Sequence, residues 1–199
     1  MTFAERLRII FKGVLEPIAV LLNRAGIRPN TVTLFGLLGN MLAAVFLARG
    51  SFFTGGILVL VVGPIDALDG TMARLRGEST AFGAFVDSVT DRYSELFILL
   101  GILVYSLNQQ NIRLSVLVYI AAAGSVLVSY VKARAEGLGM SANMGILTRV
   151  ERYLVIAPSL ILNQVEIGMW IIAIFANFTA FQRILFVRKQ ANLDKRSEE

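Results

Sequence analysis

Apolar runs dominate this chain. Six stretches, at about 31–49, 52–74, 82–106, 113–135, 149–163 and 166–187, are hydrophobic enough to lie in a bilayer. There each backbone N–H and C=O needs a partner within the protein, and unbroken apolar runs of this length point to helices, which supply those partners inside each segment. Several contain polar residues or fall short of the ~20 residues that cross the hydrocarbon, so their ends are loosely set. The expected fold class is an all-α integral membrane protein with six transmembrane helices. Composition agrees: 56% of residues are hydrophobic and 17% charged, outside the range of ordinary soluble domains. The net charge of +5 is scattered between spans rather than massed on one basic face, which argues against nucleic acid as a partner.

Ahead of the first span, Phe3, Leu7, Ile10, Phe11, Val14, Leu15, Ile18, Leu21 and Leu22 recur at helical spacing, with Glu5, Arg8, Lys12 and Glu16 between them. This predicts an amphipathic helix over 1–26 lying on the membrane surface. It lacks the continuous hydrophobic core and small-residue cleavage site of a signal peptide. Pro29 ends it, and Asn30 or Thr31 can cap the next helix. With the N-terminus cytoplasmic, that side collects the Lys and Arg of 6–28, 74–76, 132–152 and 183–196, against Arg49 and Arg113 outside. Both termini are therefore expected in the cytoplasm of a cell-membrane protein. The reading is of one domain over 1–199, with the six-span bundle at 31–187 and a charged, frayed cytoplasmic tail at 188–199.

Against this apolar background stand four aspartates in PIDALDGTMARLRGESTAFGAFVDSVTDRYSE, residues 64–95. The second span descends through Asp66 and Asp69, the chain turns near residue 78, and the third span climbs through Asp87 and Asp91. Positions 66, 69, 70 and 73 share one helix face, as do 83, 87 and 91. Asp69 and Asp87 are nearly equidistant from the turn, as are Asp66 and Asp91, so antiparallel packing makes a square of four carboxylates. Such neighbours repel by roughly 3 kcal/mol per close pair at an effective dielectric of 20, so the square needs cations. The chain has no His and no Cys, which removes thiol and imidazole chemistry and leaves an all-oxygen ligand set suited to hard ions, Mg²⁺ or Mn²⁺. Paired hard ions are a recurring apparatus for phosphoryl and phosphodiester transfer. Gly70, Ala73 and Gly83 leave room for a bulky ligand beside the acids, and Arg74 can offer charge to a phosphate.

Simpler readings exist for each part. Glycine and alanine at this spacing often mean only close helix packing, and a lone intramembrane Asp can pair with an Arg. The whole pattern, Asp-x2-Asp-Gly-x2-Ala-Arg-x8-Gly-x3-Asp-x3-Asp, fixes positions that average residue usage would match by chance on the order of 10⁻⁸ per chain.

That pattern, intact from Asp66 to Asp91, resembles the signature of the CDP-alcohol phosphotransferase family, and the likeness extends along the chain as a surface helix and six spans. The resemblance implies transfer of a phosphatidyl or similar group from a CDP-linked lipid to an alcohol, with release of CMP. It implies two Mg²⁺ or Mn²⁺ ions held by Asp66, Asp69, Asp87 and Asp91, with Asp91 also the catalytic base. It places the CDP moiety against Gly70, Ala73, Arg74 and Gly83. RPNTVTLFG resembles the family's first-span entrance, which adds Asn30, Thr31 and Thr33 to the CDP contacts. Thr80 is either a cap of the third span or a polar contact to the donor. The resemblance also implies a homodimer.

SYVKARAEGLG at 129–139 and GILTRVERYL at 145–154 bear on the acceptor. Cations there can simply obey the positive-inside rule, or can hold an acceptor that carries a phosphate. In combination they resemble the phosphatidylinositol phosphate synthase branch of the family, which implies inositol phosphate as acceptor, contacted by Ser129, Lys132, Arg149, Arg152 and, from FQRI, Arg183. Glu136 and Glu151 are expected to pair with neighbouring cations. Two alternatives stay open at this point: a phosphatidylglycerol phosphate synthase using glycerol phosphate, and a cation transporter. The second needs a polar route to both faces, yet the spans carry no acid near their outer ends besides Glu166.

Overall fold

A computed structural model describes the backbone of residues 3–78 and 80–198; the side chains of 3–12, 14, 66 and 194–198 lie outside the description. Among the described residues all regular secondary structure is helical, without strands, and the chain forms two compact units, residues 1–105 and 106–199.

In the first unit α1 (Phe3–Arg24) precedes α2 (Pro29–Ala48), α3 (Phe52–Val62), α4 (Ile65–Arg76) and α5 (Ala81–Asn108), the last running just past the boundary. On α1, Leu15 and Ala19 are buried with Val32 of α2 and Leu68 and Met72 of α4. The side chains of Phe3, Leu7, Ile10, Phe11 and Val14, which help define the expected amphipathic face, are outside the description. α2 starts at Pro29 itself, whose missing N–H costs nothing in a first turn, so Asn30 and Thr31 sit inside the helix and neither caps it.

The apolar run expected as one span at 52–74 is interrupted. Gly63 and Pro64 separate α3 from α4, because a proline lacks the N–H that would bond one turn back and its ring crowds the carbonyl there. Gly77 closes α4 in the left-handed conformation, φ 66°. Thr80 opens α5 as a cap, its Oγ1 accepting from the Gly83 N–H at 3.0 Å.

The second unit comprises α6 (Ile112–Glu136), α7 (Arg149–Ile161) and α8 (Val165–Glu198). The tail expected to fray after Val187 continues α8 instead. Its residues are mostly good helix formers, and Gln190 anchors it by side-chain bonds to the backbone of Ser141.

Four stretches are long and apolar enough to cross a membrane: Pro29–Ala48, Phe52–Arg76, Ile112–Glu136 and Val165–Leu193. The other two expected spans are helical, but α5 carries Asp87, Asp91, Arg92 and Glu95 between its start and its middle turn, and α7 has only 13 residues. α2 turns Leu34, Phe35, Leu38, Leu42 and Val45 outward while burying Gly36, Ala43 and Ala44. Large apolar residues outside and small ones inside suit a helix whose solvent is lipid and whose neighbours approach closely. The contacts bear this out. A Cβ on Gly101 of α5 would lie 2.5 Å from the Ala44 carbonyl oxygen on α2, and one on Gly124 of α6 would lie 2.5 Å from Nδ2 of Asn177 on α8. This is a membrane protein built by small-residue packing.

Candidate active site

The turn between α4 and α5 and the start of α2 enclose a cleft of about 870 Å³ in the first unit. Asp69 and Asp87 both line it, so two of the four acids face one space. Asn30, Thr33, Gly70, Ala73, Arg74, Thr80 and Gly83 line it with them. Thr31 is exposed and off this lining. Asp91 lies one turn further up α5, 8% exposed, with Arg92 Nη1 at 3.6 Å from its Oδ2. Asp66 is on the first turn of α4, but its side chain is outside the description.

Asp69, 5% exposed, is held from two sides. The Thr33 hydroxyl of α2 donates to its Oδ2, and the Gly70 N–H donates to its Oδ1. Thr33, expected against the nucleotide, therefore bonds to the acid while still edging the cleft. Such charge-assisted bonds fix where a carboxylate points. The small residues are also resolved. Among the described residues, a Cβ added at Gly70 would meet Nη1 of Arg74, one turn on, at 3.4 Å, and one at Gly83 would meet Thr80 Oγ1, one turn back, at 3.1 Å. Among the described residues neither glycine meets a neighbouring helix, unlike Gly101 and Gly124, and both line the cleft, where the missing side chain leaves space.

The expectation did not single out Arg28, Ala67, Arg76, Glu78 and Ala84 as site residues, and all of them line the cleft. Ala67 sits on the Gly70 and Arg74 stripe and Ala84 one turn after Thr80, so helical periodicity could have found both. Arg28 and Glu78 come from turns, which have no such period. Arg76 braces the wall: it donates from Nε to Asn23 Oδ1 at 2.6 Å and from Nη2 to Ile27 O at 2.7 Å.

The donor set is all carboxylate and hydroxyl oxygen, which fits a hard divalent cation. Among the described residues no three acidic side chains gather closely enough to close an ion site. The fourth aspartate, Asp66, belongs to the undescribed side chains.

In the second unit the residues expected at the acceptor surround the 137–148 loop. Lys132 Nζ pairs with Glu136 at 3.6 Å, as expected for Glu136. Glu151 accepts instead from the Thr148 hydroxyl at the start of α7. Arg149 lies over the Tyr153 ring, 5.4 Å from its centroid. Arg152, 1% exposed, points Nη1 at Leu147 O, 3.4 Å away. Arg183 donates from Nε to Met144 O at 2.8 Å and from Nη1 to Val128 O at 2.6 Å, next to the half-buried Ser129. Part of its guanidinium is thus committed to backbone.

The profile of the CDP-alcohol phosphatidyltransferase family matches residues 27–181, which span both units. The chain belongs to that family. It is a transferase, which answers the transporter alternative. Among its relatives are the phosphatidylinositol phosphate synthase of Mycobacteroides abscessus, 35% identical over 91% of this chain and 86% of the relative, and the archaetidylinositol phosphate synthase of Pyrococcus horikoshii, 35% identical over 95% and 98%. The solved phosphatidylinositol phosphate synthase of Mycobacterium tuberculosis with CDP-DAG bound superposes with a TM-score of 0.82 at 31% identity, covering 87% of this chain and 93% of that one. The same enzyme has been solved in complex with manganese and citrate, also at a TM-score of 0.82, covering 87% and 88%.

Proposed function

We propose that this transferase moves a phosphatidyl group from CDP-diacylglycerol, or the corresponding group from a CDP-linked ether lipid, to inositol phosphate and releases CMP. The observation that carries the reading is the single cleft formed by Asp69, Gly70, Ala73, Arg74, Gly83 and Asp87 with Asn30 and Thr33. The relatives named for phosphatidyl and for archaetidyl products are equally identical, and both names specify inositol phosphate. That supports the acceptor and leaves the lipid backbone open.

In this reading Arg74 and Asn30 hold the donor's pyrophosphate, while Gly70, Ala73 and Gly83 let it approach backbone and Thr80 borders it; Thr31, off the lining, has no part in it. Two divalent ions, Mg²⁺ or Mn²⁺, bound by Asp66, Asp69, Asp87 and Asp91, would neutralise the pyrophosphate and the departing CMP. Thr33 keeps Asp69 aimed for that duty. Asp91 takes the proton from the acceptor hydroxyl as that oxygen bonds to the lipid-side phosphorus and the bond to CMP breaks. Ser129, Lys132, Arg149, Arg152 and Arg183 hold the acceptor's phosphate.

Residues 1–199 act as one catalytic domain of the cell membrane, as a homodimer. Six spans cross it, α1 lies along the inner leaflet, and both termini are cytoplasmic. The donor's acyl chains then remain in lipid while its head reaches the cleft.

The test is CMP release by purified protein with CDP-diacylglycerol and Mg²⁺, offering inositol phosphate, free inositol, glycerol phosphate or serine, with Asp91→Asn alongside. Turnover confined to inositol phosphate and abolished in the variant is expected. Turnover on glycerol phosphate instead would overturn the acceptor assignment.

A further inference from the structure

The loop between α6 and α7, residues 137–148, has no regular secondary structure. Its backbone is nevertheless bonded at four points to one stripe of α8. Gln190 donates from Nε2 to Ser141 O at 2.6 Å and accepts from the Ser141 N–H at 3.2 Å. Arg183 Nε donates to Met144 O at 2.8 Å, and Thr179 Oγ1 accepts from the Leu147 N–H at 3.0 Å. At about 100° per residue, positions 183 and 190 fall about 40° and 20° from 179, so one face of α8 presents all three side chains. Where the loop passes closest it has Gly145, φ 141°, and any Cβ there would run into the Thr179 methyl. Thr179 is 0% exposed.

Irregular segments usually lie on the surface and move, and ordering each residue costs conformational entropy. Four bonds from one helix face hold this loop where both of its ends meet residues expected at the acceptor. The loop ends at Thr148, where α7 begins with Arg149, and Arg152 points back at Leu147 O. The second arm of Arg183 reaches Val128 O, beside Ser129.

We propose that Thr179 and Gln190 are positioning residues for the acceptor. By strapping the 137–148 loop to α8 they fix where Arg149 and Arg152 stand, and so set affinity for the phosphate-bearing acceptor without acting on the CDP-lipid. The inference rests on the assignment of Arg149 and Arg152 to the acceptor.

The experiment uses the full chain in detergent. Gln190→Ala removes both bonds at a half-buried position, Gln190→Glu keeps the acceptor and loses the donor, and Thr179→Val is paired with Thr179→Ser for rescue. CMP release is measured against inositol phosphate at saturating CDP-diacylglycerol, then the reverse, and exchange of the Ser141 and Leu147 amides is followed. For Gln190→Ala and Thr179→Val the expected result is a KM for the acceptor raised about fivefold or more, with the donor KM within about twofold, a loss of the size that small misplacements cause. Faster exchange of those amides accompanies it, Gln190→Glu falls between wild type and Gln190→Ala, and Thr179→Ser restores the wild-type KM. Donor and acceptor KM rising together would overturn the proposal, as would faster exchange with both KM values unchanged. If the wild type itself prefers glycerol phosphate, the inositol phosphate reading fails and the same KM split, measured on glycerol phosphate, decides the strap.

Discussion

Gly70→Ala and Gly101→Ala add the same methyl group to two helices of one unit and should fail in opposite ways. At position 70 the new Cβ meets, among the described residues, Arg74 Nη1 alone, at 3.4 Å, an ordinary contact with the tip of a flexible chain. Alanine is the better helix former by roughly 1 kcal/mol, so the folded state should hold its stability or gain slightly. The methyl projects into the cleft, however, where the proposed donor lies against backbone. Overfilling a fitted space costs about 1–3 kcal/mol, which corresponds to about a 5- to 150-fold loss of kcat/KM for the CDP-lipid. At position 101 the Cβ would stand 2.5 Å from the Ala44 oxygen and 2.8 Å from its Cα, and main chain cannot rotate away. There the helices must separate, and the same overpacking cost falls on folding. Thermal unfolding in detergent and CMP release at varied CDP-diacylglycerol, run on both variants, separate the two effects. A Gly70→Ala protein that melts as early as Gly101→Ala, or that keeps its donor KM, would refute the view that Gly70 is small for the ligand rather than for packing.

Thr33→Val keeps shape in a buried site and removes the hydroxyl that donates to Asp69; a bond to a charged group is worth about 1.5–3 kcal/mol, so the Mg²⁺ concentration for half-maximal CMP release should rise about tenfold or more. An unchanged metal titration would show that this bond does not prepare the acid. Arg76→Leu breaks the bonds to Asn23 and Ile27 and is expected to destabilise the protein by about 2–3 kcal/mol, read as a lower thermal midpoint. Removing divalent ions with a chelator should abolish CMP release, and adding back Mn²⁺ or Mg²⁺ should restore it, whereas Ca²⁺, larger and less strict in geometry, should restore little.

The acid stripes were legible in the sequence because they depend on two local quantities, helical period and distance from a turn. The shared cleft at Asp69 and Asp87 follows from both. Thr33 was expected at the donor and Arg183 at the acceptor, yet the bonding of both was hidden, since each bonds to residues 36 to 55 positions away in sequence and no periodicity reports such a partner. Hydropathy likewise read 52–74 as one span, because it registers what faces lipid and is blind to a backbone donor missing at Pro64. That interruption matters for the site. α3 remains packed on α2, where Gly55 sits against Leu47, while α4 docks on α1 through Leu68 and Met72 against Leu15 and Ala19 and through the Asn23 Nδ2 bond to Met72 O at 3.2 Å. An unbroken helix would tie the direction of Asp69 to the α3 contact. With the break, the acid-bearing segment takes its direction from α1 and from Thr33 of α2, so the N-terminal helix is part of what aims the carboxylates.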